Sequence, residues 1–198
     1  MTGTAKALRY AAFTLMVLFG LLGGLFVAGY AFEDPGGWIA VLMTAGWVLP
    51  MAALIAYVLV RKEAAGPVFV GVTVFVGLST VLDSLLTVVP RDDWGPVLAV
   101  TVFSLGVALA FLGLFRARLA GLLLLALAFV QLVATALGHL VHGGLFSGEG
   151  PGLMALLGGS SGVVVLPLVL IGVLFLMSDS LGHEPRKWTH QPRVRRAH

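Results

Sequence analysis

Six stretches of about 20 or more largely apolar residues follow one another along this chain, a length that spans ~30 Å of hydrocarbon as a helix. They fall at residues 8–32, 38–60, 67–89, 96–115, 119–141 and 153–177, joined by short polar turns. A segment surrounded by lipid must satisfy its own backbone hydrogen bonds, which leaves helices or a closed barrel. Barrel strands alternate polar and apolar residues, and the run from Gly121 to Phe129 does not alternate. The remaining reading of the N-terminus is a cleaved signal peptide with Lys6 and Arg9 as its basic region. Its apolar core, residues 11–32, exceeds the ~7–15 residues of such cores. The expected fold is therefore an all-α integral membrane protein, a polytopic bundle of six transmembrane helices.

Composition supports the same solvent. Charged residues make up 11% of the chain and hydrophobic ones 59%, whereas soluble domains carry roughly 25% charge. There is no cysteine and no asparagine, which excludes disulfides, thiolate metal sites and N-glycosylation. The abundance of Arg over Lys, with much Ala, Gly, Val and Leu, associates the chain with a bacterial genome and hence a bacterial plasma membrane.

The loops sort by charge. Lys6, Arg9, Arg61, Lys62, Arg116, Arg118, Arg186, Lys187, Arg193, Arg195 and Arg196 fall on one side of the six-span arrangement, and Arg91 alone on the other. That bias marks the first side as cytoplasmic and predicts an N-in/C-in topology. Glu33, Asp34, Asp92, Asp93 and Glu149 fall opposite, with Trp38 and Trp94 at the outer interface. The net charge of +3 is thus a topological signal, and no nucleic-acid partner is expected. Residues 1–177 form the membrane domain in this reading. Residues 178–198 form a basic cytoplasmic tail without apolar periodicity, expected to be disordered. Its Arg186, Lys187, Arg193, Arg195 and Arg196 would attract anionic lipid, or serve only to fix topology.

Asp83 is the one ionisable residue deep inside a span. A carboxylate there costs at least a few kcal/mol unless it is paired, hydrated or protonated, so such residues face a bundle interior or a polar cavity. Thr80, Asp83, Ser84 and Thr87 share one face of span 3 by their spacing. On span 5, Gln131, Thr135, His139 and His142 recur at steps of four, four and three. Span 6 adds Gly158 to Gly162, including Ser160 and Ser161, where small residues would allow close helix approach. All three features lie in the outer half, and they are expected to converge on one outward-facing polar cavity. The plainer alternatives are hydroxyls bonded back to their own helices and a Gly/Ser cluster used only for packing.

His139 and His142 would form two arms of a metal site, with Asp83 as a third. The motif is short, there is no Glu beside the first His, and no cofactor is expected. Pro50 and Pro167 fall within spans 2 and 6 and favour kinks there. No Walker loop and no Gly-x-Ser-x-Gly elbow occurs, so no enzyme class is indicated. Three functions fit these residues. The first is a small transporter or channel-like protein using the Asp83 cavity. The second is a non-catalytic accessory or scaffold subunit, homo-oligomeric or within a larger membrane complex. The third is an intramembrane enzyme with an Asp83/His139 acid–base pair.

Overall fold

The computed structural model describes residues 3–33, 37–86, 97–141 and 160–182, and within these helices not the side chains of 26–33, 40, 43, 97–99, 139 and 160–163. The described residues are almost entirely helical. Helix α1 spans Gly3–Glu33, α2 Gly37–Val60, α3 Ala65–Leu86, α4 Val97–Phe115, α5 Ala117–Val141 and α6 Ser160–Gly182. Five are long and apolar enough to cross a membrane over their described residues, and α4 is the shorter sixth, apolar over Val100–Phe115. At 19 residues and ~1.5 Å per residue, α4 still nearly matches a ~30 Å core. The described residues form an all-helical bundle whose long apolar helices are those of a multi-pass membrane protein by length and composition.

Where both are described, helix ends lie within two residues of the expected spans, except that α1 begins at Gly3, five residues before the expected start, and α6 runs long at its C-terminus. Helix α6 runs on through Ser178, Asp179 and Ser180 to Gly182, so the helix extends past the expected membrane exit at Met177. Ser178 is fully buried and donates to the carbonyl of Phe175 at 2.9 Å. Ser180 does the same to Met177. Back-bonded hydroxyls of this kind suit a last turn that leaves the apolar layer while still packed on its neighbours. The start expected at residue 153 and the tail beyond Gly182 lie outside the described residues. Helices α2 and α6 continue without a break through Pro50 and Pro167.

Helix α4 forms the axis of the bundle. It packs against α1, α2, α3, α5 and α6, and its residues from Leu105 to Ala110 are all buried. A helix apolar on every side is stable only where every side is covered by protein or lipid. Helix α2 is the opposite case. Trp38, Ile39, Leu42, Leu49 and Val60 are exposed along it, as expected of a peripheral helix bathed in acyl chains.

Glycine contacts fix the directions. Gly20 and Gly23 of α1 lie against Val107 and Phe103 of α4, so these two helices are antiparallel. Gly106 and Gly113 of α4 lie against Leu168 and Phe175 of α6, which makes that pair parallel. Gly121 meets Gly172 and Leu176, while Gly172 meets Leu125, so α5 and α6 are antiparallel. Gly66, Gly77 and Ser84 of α3 approach Leu119, Val130 and Gly138 of α5, a parallel pair. Odd-numbered α1, α3 and α5 therefore run one way and α4 and α6 the other, as short connections between successive crossings require. Without a hydrophobic drive between helices in lipid, such small-residue approaches are what close packing depends on.

Candidate functional site

The buried face of α3 is a heptad seam. Gly66, Phe69, Thr73, Val76, Thr80 and Asp83 are all buried and follow at alternating steps of three and four, with Gly77 and Ser84 beside them. The opposite face carries Val70, Val74, Phe75, Leu78, Leu82 and Leu86. Polarity is thus inverted relative to a soluble helix: Asp83 is 7% exposed and Phe75 70%. Water as solvent would reverse both values, and hydrocarbon gives this order.

The seam faces α5 and, over a smaller area, α4. At its Asp83 end the approach is made by Gly138: a Cβ there would lie 3.9 Å from the Cβ and carbonyl oxygen of Ser84. Gln131 stands seven residues before Gly138, hence on the same face of α5 two turns away, and is partly buried. Thr135 lies between them, also partly buried. Thr80, Asp83 and Ser84 are thereby brought to the side of α5 that carries Gln131 and Thr135. The backbone of His139 belongs to α5, but its side chain lies outside the described ones, as do Thr87 and His142 entirely. The proposed metal arms therefore also fall outside them. Ser160 and Ser161 open α6, and their side chains are likewise not described. Helix α6 packs on α5 and α1, and α3 has no comparable interface with it among the described residues.

Most hydroxyls in the seam are turned to their own helix. Thr80 donates to the carbonyl of Val76 at 2.9 Å, Ser84 to Val81 at 2.7 Å and Thr135 to Gln131 at 2.9 Å. Each is a stable single-helix arrangement that leaves the oxygen lone pairs available as acceptors. Thr73 differs, since its buried hydroxyl has no hydrogen-bond partner. A carboxylate with hydroxyl oxygens on one helical face is the donor set of a hard cation or a proton carrier, and is poor in the nitrogen and sulfur ligands that select transition metals.

Comparison with known protein families, with curated proteins and with solved structures finds no match for this chain. The site's own chemistry is what bears on function.

A second polar region stands at the other end of the bundle, where the sequence indicated only topology. Arg9 of α1 donates to the carbonyl of Leu114 at 3.3 Å, while its Nε is buried without a partner. Arg116, between α4 and α5, passes over Gly66 and donates to the carbonyl of Glu63 at 2.8 Å. The Lys62 ammonium lies 4.6 Å from the centre of the Phe115 ring, a cation–π contact. Asp179 of α6 joins Arg9, Arg116 and Arg118 around a cleft of about 290 Å³. Assigning residues from 178 onward to a tail is what hid this convergence. The available signal was an acid two residues beyond the last apolar residue of span 6.

Proposed function

We propose that this protein is a small transporter or channel-like membrane protein that binds a proton or small cation at Asp83, within a polar site between α3 and α5. The observation that carries the reading is the burial of Asp83 on a helical face shared with Thr73, Thr80 and Ser84, in a helix whose other face is apolar apart from Ser79, whose hydroxyl is bonded back to the Phe75 carbonyl. An intramembrane acid is costly, and its retention on the interior face is best explained by use. Gln131, Thr135 and His139 of α5 would supply the polar lining, with Ser160 and Ser161 near the mouth. The proposed arrangement is six spans with both ends in the cytoplasm of a bacterial plasma membrane, because the basic residues gather at the end that holds Gly3 and Gly182.

Proton and monovalent-cation flux through liposomes containing the purified protein tests the reading. Wild type should carry one of the two, and Asp83→Asn should abolish the flux while leaving the melting temperature within a few degrees. Equal flux from wild type and variant, or none above empty liposomes from either, rejects it. A second reading, a non-catalytic accessory subunit, is favoured by the hydroxyls bonded back to their own helices and by the uncovered apolar face of α2. It predicts that Asp83→Asn changes neither flux nor assembly.

A further inference from the structure

Three guanidinium groups and one carboxylate surround the cleft formed by Arg9, Arg116, Arg118 and Asp179. A second cleft of about 300 Å³, lined by Lys6, Arg9, Tyr10, Leu114 and Phe115, shares Arg9 and Phe115 with the first. Cationic charge therefore exceeds anionic charge in both. Arg9 lines both clefts, and its buried Nε–H lacks an acceptor. The start of α5 adds to this. Arg116 stands at its N-cap, accepting from the N–H of Ala120, yet an arginine side chain has no acceptor with which to cap the first turn. No acid occurs in that turn. The N–H groups of Ala117, Arg118 and Leu119, which have no partner within the helix, thus belong to residues that line the first cleft. Charge, an orphaned guanidinium donor and a helix N-terminus coincide at one place.

We infer that this end of the bundle binds a phosphate-bearing anion, gripped by Arg9 and Arg118 at the N-terminus of α5. The lining favours the phosphodiester of an anionic phospholipid as the source. Leu122, Phe115 and Tyr10 continue the clefts along the outer surface of the bundle and are exposed there, so an acyl chain leaving the head group would meet an apolar track. Basic pockets between transmembrane helices on the cytoplasmic side are suited to such head groups. Arg116 is a positioning residue here, because its own Nη2 is engaged by the Glu63 carbonyl. The site lies at the opposite end of α3 and α5 from the Asp83 region, and does not depend on what Asp83 does.

The experiment uses the full chain in nanodiscs of phosphatidylcholine with and without phosphatidylglycerol, and in detergent with inorganic phosphate. Native mass spectrometry reads the lipid retained, and thermal melting reads stabilisation. Phosphatidylglycerol should be retained in preference to phosphatidylcholine and should raise the melting temperature. Arg9→Gln and Arg118→Gln should each weaken retention by about tenfold, the scale of one charge-assisted hydrogen bond. Arg61→Gln removes the same charge from the same end without touching either cleft and should leave retention unchanged. Arg118 is exposed, so its variant keeps the test decisive should Arg9→Gln fail to fold. Stabilisation by inorganic phosphate alone, lost in Arg118→Gln, would uphold the phosphate chemistry and assign it to a free anion. Equal retention of the two lipids with no effect of phosphate, or equal loss in Arg61→Gln, would overturn the inference.

Discussion

The carbonyl oxygen of Gly172 in α6 lies 2.8 Å from where a Cβ on Gly121 of α5 would stand, and the Gly121 carbonyl lies 3.1 Å from the corresponding position on Gly172. The two backbones are in reciprocal contact across an antiparallel pair, with Leu176 also against Gly121 and Leu125 against Gly172, so that moving a side chain alone does not relieve the contact with the backbone. Gly121→Ala and Gly172→Ala should therefore each destabilise the protein, by about 1–3 kcal/mol as for other overpacked sites. Gly71 and Gly24 have open space around them, and alanine there should stay within about 1 kcal/mol of wild type. Thermal melting in one detergent compares all four. A Gly121→Ala protein as stable as Gly71→Ala would show that α5 and α6 do not meet at this point.

Gly113 of α4 is covered by the ring of Phe175 from α6. Gly113→Ala pushes into that ring, and Phe175→Leu leaves space beside it. The double variant should be more stable than the sum of the single effects by about 0.5–3 kcal/mol, the range found for contacting residues. Strict additivity in the melting data would exclude the contact.

Thr73 has a buried hydroxyl with no hydrogen-bond partner, and leaving such a group unsatisfied costs about 1–3 kcal/mol. Thr73→Val should be neutral or stabilising by about 1 kcal/mol. Thr80→Val, which deletes a hydroxyl bonded to Val76, should not stabilise. A destabilised Thr73→Val would instead mean that the hydroxyl binds water or an ion that supports the seam, which flux measurements on the same variant would then connect to Asp83.

The ends of α1 and α6 lie together, since Arg9 and Asp179 line one cleft. With the positive-inside bias, a reporter fused after Gly182 should be active only in the cytoplasm, and one inserted at 142–152 only outside. Labelling of the C-terminus by an impermeant reagent in intact cells would defeat the six-span arrangement.

Much of this was legible in the sequence. A run of apolar residues fixes helix length, because hydrocarbon has a fixed thickness and the backbone must bond to itself. The three-and-four spacing of Thr80 and Asp83 with Phe69, Thr73 and Val76 fixes one face of α3, and in a lipid solvent that face must turn inward. What the sequence alone left open is which faces meet. All six segments are similarly apolar, so hydropathy does not distinguish α4, the axis of the bundle, from α2 at its edge. The chain has 26 glycines, and only steric fit selects Gly121 and Gly172 for backbone contact. The same holds for α3, whose seam among the described residues meets α5 and α4 with no comparable interface to α6, and for the gathering of Arg9, Arg116, Arg118 and Asp179 from the ends of separate helices. Periodicity is a local property of one helix. Helix partnership in a membrane depends on surface shape across long sequence separations, and only the tertiary structure decides it.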